Sequence, residues 1–238
     1  LELFPGEIHE RVEVRWNESL QRVDATERMM FGALALDEAP APPTAPEVSA
    51  LLFEHVRGEG RRRFDPDGRI ERLVQRLRFV AGAFPETGVK APAEADIEAV
   101  VRDACLGRRA IGELDPGMIE DALLARAGLP AHKLEACAPA TVTLPGGRRV
   151  TVEYDGGTPA ISSRLQDFFG LSNGPSIQGR VPLVLHLLAP NQRDVQVTTD
   201  LAGFWERHYP ALRRELMRRY PRHSWPQDPL TASPPQRK

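Results

Sequence analysis

The sequence has almost no lysine: only Lys90, Lys133 and Lys238 occur among its 238 residues. None of the three is followed by serine or threonine. Nucleotide hydrolysis of the Walker type needs a Gly-Lys-Ser/Thr step, because the lysine reaches the outer phosphates and the hydroxyl binds magnesium. That motif is therefore excluded from this chain. A G-x-G-x-x-G sequence is also absent, so nothing supports a Rossmann dinucleotide site.

Cysteine and long apolar runs are scarce as well. Cys105 and Cys137 lie far apart with no C-x-x-C motif, which excludes a disulfide scaffold and a cysteine zinc site. We expect both thiols to be buried and inert. No apolar run approaches the ~18–20 residues of a membrane-spanning helix, and no basic-then-apolar leader opens the chain. We therefore expect a cytoplasmic protein with no membrane partner, and the first residue, Leu1, leads us to expect a fragment.

The composition predicts a folded chain with an uneven charge distribution. Hydrophobic residues make up 41% and charged residues 27% of the chain, which is enough to bury a core and excludes a disordered tail. Residues 1–138 carry 18 basic and 25 acidic side chains, whereas residues 139–238 carry 13 and 8. A positive half attracts polyanions. A codon preference for arginine explains the arginine count equally well, so the placement of each arginine matters more than the number.

The whole chain is predicted to have an α+β fold made of four segments. These are a β-strand segment at residues 1–39, a helical region at 40–138, an α+β domain at 139–222 and a tail at 223–238. In the first segment, Val12, Val14 and Trp16 alternate with polar residues and predict a strand that pairs with a second one beyond a turn. Two or three strands are not stable alone, so this segment must pack on other residues.

The second segment follows a proline-rich linker at residues 40–46 and has helical periodicity. Thr44-x-x-Glu47 fits a capping box. The strongest pattern follows Asp65, the candidate N-cap, with apolar residues at helical spacing up to Phe84. Asp115 is the candidate N-cap of a later helix, which we expect to end at Gly128.

From residue 139 onward the pattern is mixed. The Pro-Gly-Gly sequence at 145–147 predicts a hairpin turn. The apolar run at 181–188 is long enough for one buried strand, and we expect His186 within it to be a core histidine. Residues 195–199 alternate as its neighbour.

The last predicted helix starts at Asp200 and carries alternating apolar and basic positions. Pro210 is expected to kink or split it, and Pro221 to end it. The final residues, 233–238, are polar, and we expect them to be disordered.

Classical catalytic and metal-binding motifs have little support. The sequence from Gly174 through Ser176 to Gly179 is one residue longer than the G-x-S-x-G elbow of serine hydrolases, and a Gly-Pro turn before a strand is the simpler interpretation. The six histidines are scattered with no H-E-x-x-H motif, so a zinc site has weak support.

Two arginine clusters form the candidate nucleic-acid interface. One leads into the helix after Asp65, and the other lines the last helix with aromatic residues interleaved. Guanidinium groups pair with phosphates and aromatic faces stack on unpaired bases. A solvated helix face with the aromatics in the core explains the same pattern, and both interpretations stay open. The candidate nucleic-acid-binding residues are Arg213, Arg214, Arg218, Arg219, Arg222, Trp225, Arg69, Arg72 and Arg76.

Four short sequences near the end of the chain resemble a known family. They are Gly179-Arg180-Val181-Pro182, Leu188-Ala189-Pro190-x-Gln192-Arg193, Thr199-Asp200-Leu201-x-x-Phe204-Trp205 and Arg219-Tyr220-Pro221-x-His223-x-Trp225-Pro226. Their order and spacing resemble the C-terminal signature of the HrpB family of bacterial DEAH-type ATP-dependent helicases. The resemblance is strong beyond residue 139 and weak before residue 90, where residues 1–39 are similar to the end of the family's OB-like domain.

The resemblance implies that two RecA-like motor domains, which bind ATP and magnesium, precede Leu1 in a complete protein. No catalytic or ATP-contacting residue of the family maps onto this chain. The implied role is accessory and non-catalytic: packing on the motor domains or contacting RNA. The alternative is a protein-interaction module with no nucleic-acid contact. Arg180, Arg193 and Trp205 are expected to be structural, with Arg193 tying a strand end to a carboxylate such as Asp200.

Overall fold

The computed structural model describes residues 8–235, except for the side chain of Glu59. Residues 1–7 and 236–238, at the ends of the first predicted segment and of the predicted tail, lie outside the described residues. Within the described part of the chain, no helix is long and apolar enough to span a bilayer. The strands are β1 (Ile8–Asn17), β2 (Arg22–Phe31), β3 (Leu34–Pro40), β4 (Thr141–Thr143), β5 (Arg149–Thr151), β6 (Ala160–Arg164), β7 (Ser176–Ile177), β8 (Val181–Pro182), β9 (Val184–Leu188) and β10 (Asp194–Thr198). The helices are α1 (Pro46–Val56), α2 (Arg61–Phe64), α3 (Arg69–Ala83), α4 (Glu94–Cys105), α5 (Pro116–Ala127), α6 (Ala131–Cys137), α7 (Leu201–Arg207) and α8 (Tyr209–Arg219).

These elements form two compact units, and the predicted α+β class is confirmed. Unit 1 contains Leu1–Val74 and Pro92–Gly128, and unit 2 contains Gln75–Ala91 and Leu129–Lys238. Helix α3 contributes residues to both units. The four-segment division stays a prediction about domain boundaries, because compactness alone does not define them.

Unit 1 begins with a three-stranded antiparallel sheet in the order β1-β2-β3. Val14 lies opposite Ala25 and Trp16 lies opposite Val23, which confirms the predicted strand pair. Helix α1 packs against β1 and β2, and the Trp16 ring stacks on His55 with 4.1 Å between the ring centroids. The sheet thus gains the packing partner that three strands need.

Helix α3 is capped by a buried carboxylate upstream of its first residue. Asp65 accepts hydrogen bonds from the backbone N–H groups of Arg69 and Ile70, each at 2.9 Å. The sequence predicted Asp65 at the N-cap position itself, but the helix begins at Arg69, so Asp65 caps it from four residues upstream. The carboxylate satisfies two of the donors that a helix leaves free at its N-terminus.

The other two predicted N-caps of unit 1 have different outcomes. Asp115 caps α5 by accepting a hydrogen bond from Gly117 N at 2.8 Å, as expected. The capping box at Thr44 is wrong, since the N-cap of α1 is Ala45 and makes no side-chain hydrogen bond. Pro46 occupies the first turn of α1, where a proline has no free N–H and its φ already suits a helix.

Unit 2 contains a mixed three-stranded sheet in the order β10-β9-β6. Strand β9 pairs antiparallel with β10 and parallel with β6, with Ile161 opposite Leu185 and Ser163 opposite Leu187. The strand expected over 181–188 is divided after Leu183. Leu183 N donates to the carbonyl of Pro175 and continues the β7–β8 register, whereas Val184 N donates to the carbonyl of Pro159, next to β6. Strand β8 therefore pairs with β7, while β9 continues in the larger sheet.

Both cysteines are buried, as the sequence predicted. Burial raises the pKa of the Cys105 thiol to about 11, so this thiol stays protonated at neutral pH. In unit 2, Gln178 Nε2 lies 3.3 Å from Cys137 Sγ and donates to the carbonyl of Ala136 at 3.2 Å. These contacts hold Gln178 in a left-handed conformation, with φ 50°, in the turn between β7 and β8.

The segment after α8 is bound along unit 2. Gln166 Nε2 donates to Ser224 O at 2.8 Å, and Gly170 N donates to Pro229 O at 2.9 Å. Pro235 lies so close to Gly146 that a Cβ there would approach Pro235 O to 2.9 Å. The expected disorder is therefore wrong for residues 233–235, because a turn glycine without a side chain lets them pack.

Candidate nucleic-acid interface

The candidate interface is carried by α7 and α8, whose boundaries follow from the local sequence. Asp200 caps α7 by accepting a hydrogen bond from Gly203 N at 2.8 Å, which confirms the predicted N-cap. Pro210, in the first turn of α8, marks the break between the two helices, as expected of a residue without an N–H. The helix α8 ends at Arg219, two residues before Pro221.

The absence of a side chain at position 203 leaves room for the ion pair beside this cap. A Cβ on Gly203 would lie 2.0 Å from Asp200 Oδ2 and from an Arg207 nitrogen. Asp200 pairs with Arg207 at 2.7 Å, so the expected pairing of Asp200 with Arg193 is wrong. The backbone hydrogen bond from Gly203, followed by the hydrogen bond from Arg207, lowers the pKa of Asp200.

Of the aromatic residues interleaved with the second arginine cluster, Tyr209 and Trp225 lie in the core of unit 2 together with Trp205, whereas Tyr220 is half-buried and His223 is exposed. Trp205 and Tyr209 pack edge to face with ring centroids 5.3 Å apart. Trp205 Nε1 donates to Leu171 O, and Tyr209 Oη donates to Pro226 O, both at 2.8 Å. Burial raises the pKa of Tyr209 to about 12. Trp205 is structural, as the resemblance implied.

Trp225 belongs to the same core. Its side chain is only 6% exposed, and its Nε1 donates to Tyr220 O at 3.0 Å. A buried indole with a satisfied N–H is a packing residue rather than a stacking platform. The prediction that Trp225 is a surface residue of the nucleic-acid interface is therefore wrong.

Arg213 is also committed to the fold. Its Nε donates to the carbonyls of Trp225 and Pro226, at 2.8 and 3.0 Å. Because these carbonyls lie in the segment after α8, Arg213 fastens that segment to the helix. Its guanidinium is half-buried and is less free for a ligand than its neighbours.

The remaining arginines of this cluster lie in solvent. Arg214, Arg218, Arg219 and Arg222 are exposed, and within residues 8–235 no carboxylate lies within ion-pair distance of any of them. Arg214 and Arg218 are one helical turn apart on the same face of α8. Arg219 lies 5.7 Å from the centroid of the Tyr220 ring. These four residues are called the α8 arginine surface below.

The three candidates from the first arginine cluster are used differently, because each of them contacts an oxygen of the fold. Arg69 pairs with Glu120 at 2.5 Å, and Arg72 donates to the carbonyl of Asp67. Arg76 pairs with Glu135 at 2.5 Å and donates to Ala138 O at 2.7 Å. These arginines fasten α3 to neighbouring elements.

The other sequence candidates have no catalytic surroundings. Ser176 lies in the two-residue strand β7, and no histidine of the described chain is hydrogen-bonded to it. His186 is not a core histidine: its side chain is 35% exposed and its Nδ1 lies 3.3 Å from Asp194 Oδ1. Arg180 pairs with Glu86 and lies over the Phe84 ring, so its expected structural role agrees with its contacts.

One charged cluster escaped the sequence analysis. The buried carboxylate of Asp167 accepts a hydrogen bond from Ser163 Oγ at 2.7 Å. Arg148 lies 3.5 Å and Arg164 lies 4.0 Å from the same carboxylate oxygen. These four residues come from a hairpin turn, a strand and a 3-10 turn, and no local motif marks their convergence.

The comparisons with known proteins identify the family. The family model described as "ATP-dependent helicase C-terminal", named HrpB_C, matches residues 101–229. The chain belongs to the HrpB C-terminal family. It is 32% identical over 242 aligned residues to the ATP-dependent RNA helicase HrpB of Escherichia coli strain K12. That alignment covers 98% of this chain and 30% of the E. coli protein.

Two solved structures are similar to this HrpB-type C-terminal region. One, titled as the E. coli DExH-box NTPase HrpB, has a TM-score of 0.65 and 30% identity, covering 100% of this chain and 31% of that chain. The other, titled as the Escherichia coli DEAH/RHA helicase HrpB, has a TM-score of 0.55 and 29% identity, covering 93% and 29%. This chain thus spans about three-tenths of the length of its relatives.

Proposed function

We propose that this chain is a non-catalytic accessory region of an HrpB-like RNA helicase and contacts RNA through the α8 arginine surface. The observation that supports the contact is the exposure of Arg214, Arg218, Arg219 and Arg222 without carboxylate partners among the described residues. Arg213 and Trp225 are left out of the proposal because both are used by the fold. Arg69, Arg72 and Arg76 are left out for the same reason.

Physical chemistry favours a polyanion as the partner of such a surface. Unpaired guanidinium groups keep all of their donors, and planar donor pairs match the geometry of phosphate oxygens. Tyr209 and Trp225 are occupied in the core, while Tyr220 is half-buried and His223 exposed, so the contact would be mainly with the backbone. We therefore expect affinity with little sequence preference and strong dependence on salt.

The motor chemistry belongs to the longer relatives in this proposal. ATP hydrolysis with magnesium is assigned to upstream motor domains, which are also the expected partners of this region within one protein. The chain itself supplies no step of that reaction, since it has no Gly-Lys-Ser/Thr sequence. The cytoplasmic location expected from the sequence belongs to the same proposal.

The test is fluorescence anisotropy of the chain with a labelled single-stranded RNA across a salt series. Counterion release gives a slope of roughly −0.7 per neutralised phosphate in a log-log plot, so four contacts give a slope near −3. The variant Arg214→Glu/Arg218→Glu/Arg219→Glu should lose at least about tenfold in affinity and most of the slope. Arg213 is kept, so that the segment after α8 stays attached.

A matched variant controls for net charge. Arg15, Arg57 and Arg62 of unit 1 are exposed, and changing all three to Glu alters the charge by the same amount. This control should bind RNA within about twofold of the parent chain, apart from long-range screening effects. If both variants lose affinity equally, the α8 surface has no special role. If the parent chain fails to bind at low salt, the protein-interaction module becomes the better description.

A further inference from the structure

A buried carboxylate in unit 2 forms the centre of a second charged site. Asp167 lies in the 3-10 turn that follows β6, and its side chain is only 6% exposed. Ser163 Oγ donates to its Oδ2 at 2.7 Å. Burying a carboxylate is costly unless hydrogen bonds and opposite charges compensate. The residues around Asp167 must therefore supply positive charge.

Two arginines supply that charge from different elements. Arg148 precedes β5, and Arg164 is the last residue of β6. Their nitrogens lie 3.5 and 4.0 Å from Asp167 Oδ2, longer than the ~2.7–2.9 Å of a charge-assisted hydrogen bond. Both side chains stay partly exposed, at 37% and 41%. The two guanidinium groups therefore converge on Asp167 without using their donors on it.

One of these donors is buried and has no acceptor. Arg164 Nε is inaccessible to solvent and makes no hydrogen bond in the described part of the chain. A buried donor without a hydrogen bond is unfavourable, and the acceptor that Arg164 Nε faces, Asp167 Oδ2, lies 4.0 Å away. Arg28 Nε in unit 1 is also without a hydrogen bond, but its guanidinium pairs with Glu13 at 2.6 Å and Glu38 at 3.4 Å.

We propose that Arg148 and Arg164 form a binding site for a phosphate group. Two guanidinium groups against one carboxylate leave a net charge of +1, and guanidinium forks bind phosphate oxygens in a bidentate manner. A phosphate would contact the terminal guanidinium nitrogens of the two partly exposed side chains, because Arg164 Nε is inaccessible to solvent and faces Asp167 Oδ2. Asp167, held by Ser163, positions both arginines from the buried side.

The ligand class is a phosphate monoester, a phosphodiester or inorganic phosphate. This site stands on its own contacts and does not depend on the α8 arginine surface. If RNA does not bind at the α8 arginine surface, the phosphate site is still expected. If phosphate does not bind at Arg148 and Arg164, the RNA contact at α8 is still expected.

The direct test is a titration of the ¹⁵N-labelled chain with inorganic phosphate, followed by NMR of the arginine Nε–Hε signals. Sodium chloride at matched ionic strength serves as the reference. The Arg148 and Arg164 signals, assigned by their loss in Arg148→Gln and Arg164→Gln, should shift in a saturable manner with phosphate and stay in place with chloride. Absence of a saturable shift with both inorganic phosphate and RNA overturns the proposal.

The substitution Arg164→Gln should weaken phosphate binding at least about tenfold, because it removes a charge-assisted donor. Arg149→Gln is the matched control: Arg149 neighbours Arg148 in the chain, but donates to Thr141 Oγ1 at 3.0 Å. It should stay within about twofold of the parent chain. Equal losses in the two variants would mean that only net charge matters and would overturn the site. The titration of the parent chain remains decisive even if Arg164→Gln unfolds.

A second arm identifies the source of the phosphate. The same signals are followed with a short single-stranded RNA that lacks terminal phosphates. A shift with this RNA assigns the site to the nucleic-acid backbone, whereas a shift with inorganic phosphate alone assigns it to a small phosphorylated ligand.

Discussion

The two units differ in the sign of their charge and in how they use arginine. Unit 1 contains 14 basic and 23 acidic residues, and unit 2 contains 17 and 10, so their formal charges are −9 and +7. In unit 1, where carboxylates are in excess, Arg28, Arg61 and Arg69 each pair with a glutamate. In unit 2, Arg76, Arg180 and Arg207 are also paired with carboxylates, but the α8 arginine surface finds no carboxylate partner among the described residues.

The difference teaches that an arginine-rich sequence is not evidence of an anion-binding surface until the partners are known. The helix-lining cluster of Arg69, Arg72 and Arg76 and the α8 cluster have the same appearance in the sequence. The first is occupied by carboxylates and carbonyls of the fold. Arginines whose guanidinium groups remain unpaired in the fold point to a partner outside the chain, whereas a large number of arginines does not.

The largest expected effect separates one tryptophan of each unit, Trp225 and Trp16. Trp225→Ala should lower the free energy of unfolding by about 3–5 kcal/mol, because a buried aromatic side chain leaves a cavity. Trp16 is only partly buried, so Trp16→Ala should cost less than about 2 kcal/mol. Urea unfolding of both variants measures this difference.

RNA binding of the Trp225 variant completes that comparison. At a temperature where the variant is folded, its affinity should stay within about twofold of the parent chain, since the indole is a core residue. A large loss of affinity with unchanged stability would instead make Trp225 a stacking residue. Trp225→Phe, which preserves most of the packing, serves as the control.

The next effect concerns a carboxylate that unit 1 uses for structure. Asp65→Ala should destabilise the chain by about 2 kcal/mol, because two backbone donors of α3 lose their acceptor. Asp65→Asn keeps one acceptor, so its free energy of unfolding should lie between that of Asp65→Ala and that of the parent chain. A loss below about 0.5 kcal/mol for Asp65→Ala would show that the helix does not depend on this cap.

A smaller effect tests the contrast between paired and unpaired arginines directly. Arg61 is 16% exposed and pairs with Glu94 at 2.7 Å, so Arg61→Gln should cost about 1 kcal/mol of stability and leave RNA affinity unchanged. Arg218→Gln should leave stability unchanged and reduce the salt slope of RNA binding by ~0.7. Urea unfolding and anisotropy of both variants measure the two effects. The same response from both variants would remove the distinction between the units.

Much of the fold was predictable because local chemistry decides it. Asp115 and Asp200 cap helices that begin where the sequence indicates, since an N-cap acts within its own turn. The strand pair of unit 1 follows from a period of two. The division at Leu183 was missed, because its backbone N–H bonds to Pro175, eight positions earlier.

The candidate site was only half predictable, for a physical reason. The positions of the arginines are local, but their partners are not: Arg213 donates to carbonyls twelve and thirteen residues away. The phosphate site joins Arg148 to Asp167 across two elements. The periodicity of the sequence predicts which residues share a helix face. Whether their side-chain donors are already hydrogen-bonded depends on the tertiary fold.

The smallest expected effect is the pH dependence of the α7 cap. The hydrogen bond from Gly203 and then the one from Arg207 lower the pKa of Asp200, so the charged form is favoured in the folded chain. The resulting stability is present above the unfolded pKa of about 3.9 and is lost as pH falls through the lowered value.

Asp200→Asn keeps a cap acceptor but removes the charge. Its Tm should lie slightly below that of the parent chain at pH 7, and the gap should narrow as pH falls below about 3.9. Arg207→Gln is the control, because its hydrogen bond lowers the pKa of Asp200 less than that of Gly203 does, and it should show a smaller shift of the same sign. A gap that does not narrow below this pH would assign the effect to helix propensity rather than to the charge of Asp200.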